Sequence, residues 1–434
     1  MKSTISRNLV MICLWISCMA GIVGCGNNDR DTENVSTTDF INYNCSYGDK
    51  FAVFVEHDDT YGVDKIKYYN PQNNSYTYAC GRANCSHGCT DYQKSECNAV
   101  FVGDVNFAFI YKDDLYYFTG ESSMALYKSN VDGTNKKKIA DMEFNVDSSS
   151  AVVESGKIYC VGYSEKYGEE DANGVATIEK AEAEVYSVDL KNGKMKKLTD
   201  FGEKADADVS AMKLIGNKLV FNYFCQNKSI YNSEFKSYAD YTEWLSTEKN
   251  SYSKGIDIFD QKCEYYSIDL DTNKLSKLKF NYECTYEGIN KEKAKEFYDF
   301  FILGKEGDYY YLSLQYGSGD SLYQYNVKTE NMKEIGNSYR MYFCQTKEKL
   351  YWVETDYDEN KQLEGFDSED YSVEPRYKEC DMKTGKITDW KINYDLKGKL
   401  IRPQCISENY IYGFISEFSD TNREDDEELI AIKR

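Results

Sequence analysis

The chain has 434 residues, with 73 acidic side chains against 52 basic ones and a formal charge of −21. So acidic a body, with no basic stripe, repels phosphate backbones; this argues against nucleic acid and favours cations, basic partners or neutral ligands, and it also keeps a surface protein soluble. Mean hydropathy is low at −0.67, yet 41 Tyr and 21 Phe supply apolar area that such scales underrate, and only three prolines interrupt it, which argues against disorder.

Residues 1–24 read as an export signal: Lys2 and Arg7 give a basic start, and Leu9 to Val23 is an apolar run too short for a comfortable membrane span. The run closes on Ile22-Val23-Gly24-Cys25, which resembles a bacterial lipobox, with Cys25 as the residue lipidated after cleavage. An ordinary secretory peptide ending on a chance cysteine is the alternative. Residues 25–38 are polar and aperiodic, as a tether is. No later stretch is long and apolar enough to span a bilayer. The expected location is therefore extracytoplasmic, with a lipid anchor on the outer face of the cytoplasmic membrane as the partner. Loss of Lys2 and Arg7 takes the charge from −21 to −23.

From residue 39 to 434 one phrase recurs. Its openings are Lys50-Phe51-Ala52-Val53, Leu115-Tyr116-Tyr117-Phe118, Ile158-Tyr159-Cys160-Val161, Leu219-Val220-Phe221, Tyr309-Tyr310-Tyr311-Leu312, Leu350-Tyr351-Trp352-Val353 and Tyr410-Ile411-Tyr412. Each is followed by a period-two strand and an Asx- or Gly-bearing turn, such as Tyr186-Ser-Val-Asp189 before Asn192-Gly193 or Tyr266-Ser-Ile-Asp269 before Asn273. Lys-rich fourth strands suit an outer edge, where charge discourages pairing between sheets. Four antiparallel strands repeated seven times predict an all-β chain forming a single β-propeller, with six or eight blades as the other counts. The last unit has three strands only, and Asn34 to Thr38 are expected to supply its missing outer strand.

The segment Leu126-Tyr127-Lys128-Ser129-Asn130-Val131-Asp132-Gly133 resembles the repeat of receptor-type YWTD propellers, and Leu350-Tyr351-Trp352 echoes it. The chain after its signal is similar to uncharacterised surface lipoproteins of Gram-positive bacteria with such propellers. Most blades depart from the YWTD pattern, so its six-blade geometry is not carried over.

Extra residues fall between second and third strands, at Ser164–Glu182, Gln226–Lys262, Thr355–Pro375 and Glu417–Glu427, and alternation of the connections puts all four on one face. That face is the expected recognition surface. Asp356 and Asp358 have the alternate spacing of a calcium loop but lack its glycine and terminal glutamate, so a solvated acidic loop is the plainer reading. Tyr238, Tyr241 and Trp244 in the longest insert offer rings for a sugar face or a partner, with packing onto the blade as the default.

Cys45, Cys160, Cys225, Cys344 and Cys405 sit within strands and read as buried free thiols. Between units one and two lies Cys80-x4-Cys85-x-His87-x-Cys89-x7-Cys97, and one of only two histidines in the chain falls there. Three sulfurs and one nitrogen make a common closed zinc site, whereas two disulfides stapling the loop, also involving Cys89, are the rival. In the similar lipoproteins the pattern Cys-x4-Cys-x-His…Cys-x-Ala implies Cys80, Cys85, His87 and Cys97, with Cys89 extra. Either role is structural.

The chain has no Gly-x-Ser-x-Gly, His-Glu-x-x-His or Walker loop, and His57 stands alone at a strand end. The expected function is non-enzymatic binding of a protein, peptide or glycan on the long-loop face. A propeller glycosidase or lyase, which needs a placed carboxylate pair, and an envelope assembly factor are the alternatives.

Overall fold

The computed structural model describes residues 40–434, apart from short stretches and the longer segments 89–94, 169–177, 230–239, 245–257, 281–299, 355–374 and 418–427. Seven antiparallel sheets follow one another along the chain. Blade 1 comprises β1 (Phe40–Asn42), β2 (Cys45–Tyr47), β3 (Ala52–Asp58), β4 (Val63–Asn70), β5 (Ser75–Tyr78) and β6 (Val100–Phe101). Blade 2 holds β7 (Val105–Tyr111), β8 (Asp114–Thr119), β9 (Ala125–Asn130) and β10 (Lys137–Asp141). Blade 3 holds β11 (Asn145–Glu154), β12 (Lys157–Tyr167), β13 (Ile178–Asp189) and β14 (Met195–Lys197). In blade 4 the strands are β15 (Asp206–Ile215), β16 (Lys218–Gln226), β17 (Gln261–Asp269) and β18 (Lys274–Leu278). Blade 5 runs through β19 (Phe300–Glu306), β20 (Tyr309–Tyr316), β21 (Gly319–Asn326) and β22 (Asn331–Ser338). Blade 6 contains β23 (Tyr342–Gln345), β24 (Lys349–Glu354), β25 (Arg376–Asp381) and β26 (Lys386–Asp389), and blade 7 β27 (Lys399–Ile406), β28 (Tyr410–Glu417) and β29 (Glu428–Lys433).

The apolar core proves the ring. It divides into seven clusters, each shared by two neighbouring blades. One of them joins Cys405, Tyr412 and Leu429 of blade 7 to Cys45, Tyr47 and Tyr69 of blade 1. A single sheet buries one face; only sheets stacked in a closed circle bury both. Seven is therefore the blade number.

The recurrent turns have a common cause. The Asx residue ending the third strand accepts amides from the turn, as Asp189 does from Lys191 and Asn192, Asp269 from Thr272, Asn326 from Thr329 and Asp381 from Thr384. The turn then passes through positive φ at Gly193, Asn273, Glu330 and Gly385. Side-chain acceptors and left-handed residues are what such hairpins require. Inner strands β7, β11, β15, β19 and β27 each shift register once against their second strand, so bulges bend the walls of the axis.

Two blades break the four-strand plan. Blade 7 shows three strands among the described residues; Asn34 to Thr38 and Cys25 lie outside them. The next described strand, β1, is added to the axial side of β2 and packs against β11. In blade 1 the fourth strand is split. Both β5 and β6 pair with β4, and residues 79–99 leave between them and return. The cysteine cluster is thus an insert within an outer strand rather than a link between blades.

The strand ends bracketing 168–177, 227–260, 355–375 and 418–427 share one face of the ring. The first of these insertions is shorter than the sequence suggested, because residues 164–167 and 178–182 extend the β12–β13 hairpin. Among the described residues no helix is long and apolar enough to cross a membrane.

Candidate functional site

The neck of the insert is set by Ile66. Its N–H donates to Ala99 O (3.1 Å) and its carbonyl accepts from Ala79 N (2.9 Å), so the two arms of the broken strand meet at one residue of β4. Cys80 and Cys97 stand just beyond these bonds, and Cys85 and His87 fold back from the loop. The three sulfurs and a His87 ring nitrogen all lie within 4.8 Å of one another. His87 Nδ1 is 3.4 Å from Cys97 Sγ. Tetrahedral zinc, with Zn–S of about 2.3 Å and Zn–N of about 2.0 Å, places its ligand atoms about 3.5–3.8 Å apart. Separations below 4.8 Å put all four atoms within reach of one such ion.

Backbone groups support thiolates there. Burial acts to raise the Cys80 thiol's pKa, but N–H groups of Arg82 and Asn98 and the thiols of Cys85 and Cys97 outweigh it and hold it below its usual value. Burial pushes Cys97 up to about 12 and the neighbouring thiols add to this, while the Ala99 N–H opposes it. Charging one sulfur makes the next harder to charge, and a divalent cation removes that conflict. His87 adopts φ 55°, and Tyr78 stacks on its ring at 4.6 Å. Cys80, Cys85 and Cys97 are free thiols, not disulfides; Cys89 lies outside the described residues. The four residues are able to hold a metal, and no fifth position remains for a substrate.

The long-loop face holds a second constellation that sequence reasoning missed. Asp206 and Asp208 alternate on β15 and therefore face one way, at the end of the strand paired with Cys225 and Gln226 below the longest insert. Burial raises both carboxyls. Glu165 adds to the shift of Asp206, and Asp147 and Asp206 help to push Asp208 up to about 6. Water still reaches Asp208. Carboxylates from blades 3 and 4 thus rim the axis on the looped side. Toward the other side, Lys213 on β15 reaches across to the Phe343 ring of blade 6 (5.8 Å).

Of the expected ligand-binding residues, Tyr241 and Trp244 are half-buried in a helical turn and pack on buried Phe259, with ring centroids 5.8 and 6.2 Å from it. Phe259 ends the same insert just before β17, so these rings pack on one another at its base. Tyr238, Asp356 and Asp358 lie outside the described residues. His57 is not alone: its Nδ1 lies 2.6 Å from buried Asp64, which also accepts the Val105 N–H of blade 2. Cys45, Cys160, Cys225, Cys344 and Cys405 are buried as expected, and so are Cys263 and Cys380.

Fold and site together define a seven-bladed propeller with a Cys3His insert in one rim. No protein-family model matches the chain, and no curated protein matches it. Solved structures with a similar course include the β-propeller domain of the Trilobed protease from Pyrococcus furiosus, 12% identical at TM-score 0.45, over 91% of this chain and 95% of that one. The acylaminoacyl peptidase of Pyrococcus horikoshii is 10% identical at TM-score 0.47, over 92% of this chain and 52% of its own, so this chain spans about half that enzyme. Oligogalacturonate lyase from Vibrio parahaemolyticus is 10% identical at TM-score 0.41, over 92% and 98%. At such identity a shared fold does not carry shared chemistry.

Proposed function

We propose that this chain is an extracytoplasmic, lipid-anchored recognition scaffold, anchored through Cys25, whose ring presents a protein, peptide or glycan site on the long-loop face. In this reading Cys80, Cys85, His87 and Cys97 hold a structural Zn(II) ion on the rim. The supporting observation is the shared face: the strand ends that bracket the long inserts and the carboxylates Asp147, Glu165, Asp206 and Asp208 lie toward the same side of the ring. Carboxylates gathered on one face favour basic or polyhydroxylated ligands.

One observation favours a second reading, carbohydrate cleavage. A carboxyl held up to about 6 beside other carboxylates is the environment a general acid needs. The test is a glycan and peptide array probed with the chain from residue 26 onward, beside Asp206→Asn and Asp208→Asn variants. Recognition at the mouth predicts a retained ligand that the variants lose. Binding indifferent to both substitutions sinks this placement. Product release from an oligosaccharide, abolished by Asp208→Asn, replaces it with the enzyme.

A further inference from the structure

The insert does more than staple itself. It breaks an outer strand in half, and the break is bridged by few backbone bonds. β6 is only two residues long and pairs through Asp64 and Lys65 alone. Ile66 bonds both arms. An outer strand so short, fed by the 21-residue excursion 79–99, loses its pairing readily, since opening it gives up little hydrogen bonding and gains chain entropy. Cys80 and Cys97 belong to the two arms themselves. Any ion bound by both fixes the distance between them.

The same neck is the docking point for blade 2. Gly81 N–H donates to Asp132 O (3.2 Å), Tyr68 Oη donates to Val131 O (2.7 Å), and Lys136 Nζ donates to Val100 O (2.7 Å). Gly133, at φ 72°, leaves no room for a side chain: a Cβ there would stand 2.4 Å from the carbonyl oxygens of both Ala79 and Asn98. One carbonyl comes from each arm. The turn of blade 2 is therefore fitted to the closed neck and to no wider one.

We infer that the metal mends the interrupted strand: Zn(II) bound by Cys80, Cys85, His87 and Cys97 clamps its two arms, and its occupancy sets whether β6 and the seam with blade 2 stay closed. The clamp rests on the zinc reading above. It makes the edge of blade 1 a local, metal-dependent opening unit rather than a part of the global fold.

The test is hydrogen exchange on the whole chain, purified under reducing conditions, with zinc counted before and after treatment with a chelator. With one zinc per chain, removal is expected to speed exchange by about tenfold or more at Ile66, Ala79, Gly81 and Val100. Peptides of blade 4 should not change. Restored zinc should reverse the effect and magnesium should not, because a thiolate set rejects a hard cation. A Cys85→Ser chain, altered away from the neck, should show the open pattern even with zinc present. A reduced protein without zinc overturns the metal reading itself. Zinc that is present but whose removal leaves these amides protected overturns the clamp alone.

Discussion

Blade 1 has two seams of different construction. Toward blade 7 the joint is made of side chains: the Tyr412 ring lies tilted against that of Tyr47 at 5.4 Å, its hydroxyl donates to Gly48 O (2.7 Å), and Tyr69 Oη accepts the Ala431 N–H (3.1 Å). Toward blade 2 side chains pack as well, Phe101 meeting Tyr117 at 4.5 Å in a shared apolar cluster, but at the neck of the insert the joint is backbone against backbone around Gly133. The first seam closes the ring where the last blade shows three strands, without a strand exchanged across it among the described residues. Burying one large ring contributes roughly 1.5–3 kcal/mol and a neutral hydrogen bond about 1 kcal/mol. Packing therefore dominates closure, and the hydroxyls fix its register. The neck of the second seam adds a dependence on shape. It tolerates no bulk and draws its form from a loop.

The largest effect is expected from emptying the ring closure. Tyr412→Ala removes a fully buried ring and should cost about 3–5 kcal/mol, read as a fall in the urea midpoint. If the loss stays below about 1 kcal/mol, closure does not rest on this cluster. Gly133→Ala tests the other seam. A left-handed residue with a side chain, forced against two carbonyls, should cost about 2–4 kcal/mol. Zinc content should fall with it, because the neck must widen. Tyr69→Phe is subtler: the ring stays, but buried Ala431 N–H loses its acceptor, for about 1–3 kcal/mol. Parity between Tyr69→Phe and the parent would show that the edge of β29 finds another partner.

The sequence carried the ring of blades better than the insert. Alternating aromatics and Asx turns repeat in every blade, since each blade solves the same packing problem, and so the ring was legible. The split fourth strand was not. Val100-Phe101 is too short to show a period, and nothing local says that residues on either side of a 21-residue loop share one strand. The metal-ligand spacing of Cys80, Cys85, His87 and Cys97 was visible because sulfur and imidazole are scarce. The Asp206-x-Asp208 pair was equally visible and passed over: among 73 acidic residues, alternation gains meaning only once β15 is known to line the axis. Packing onto the blade was the default for Tyr241 and Trp244, and the contact with Phe259 at the end of the same insert forms only through the fold.

A last prediction lies remote from both seams and works through charge rather than contact. Asp208 holds its proton up to about pH 6 in the folded ring, against an ordinary value of 3.8, chiefly because burial disfavours the anion. Between these values the folded chain binds more protons than the unfolded one. This residue's contribution therefore makes the protein more stable as pH falls from 6 toward 4, and its penalty is complete above 6. Asp208→Asn removes the penalty. Its melting temperature should exceed the parent's at pH 7, and the gap should close as pH approaches 4. The effect should be smaller than any of the contact losses, since water reaches the carboxylate and screens it. A gap that is constant with pH would mean that the carboxyl titrates normally, and that the looped mouth is an ordinary wet surface. A gap that closes as described identifies the mouth as the strained region of the ring, in contrast to the two seams of blade 1, where contact and shape decide.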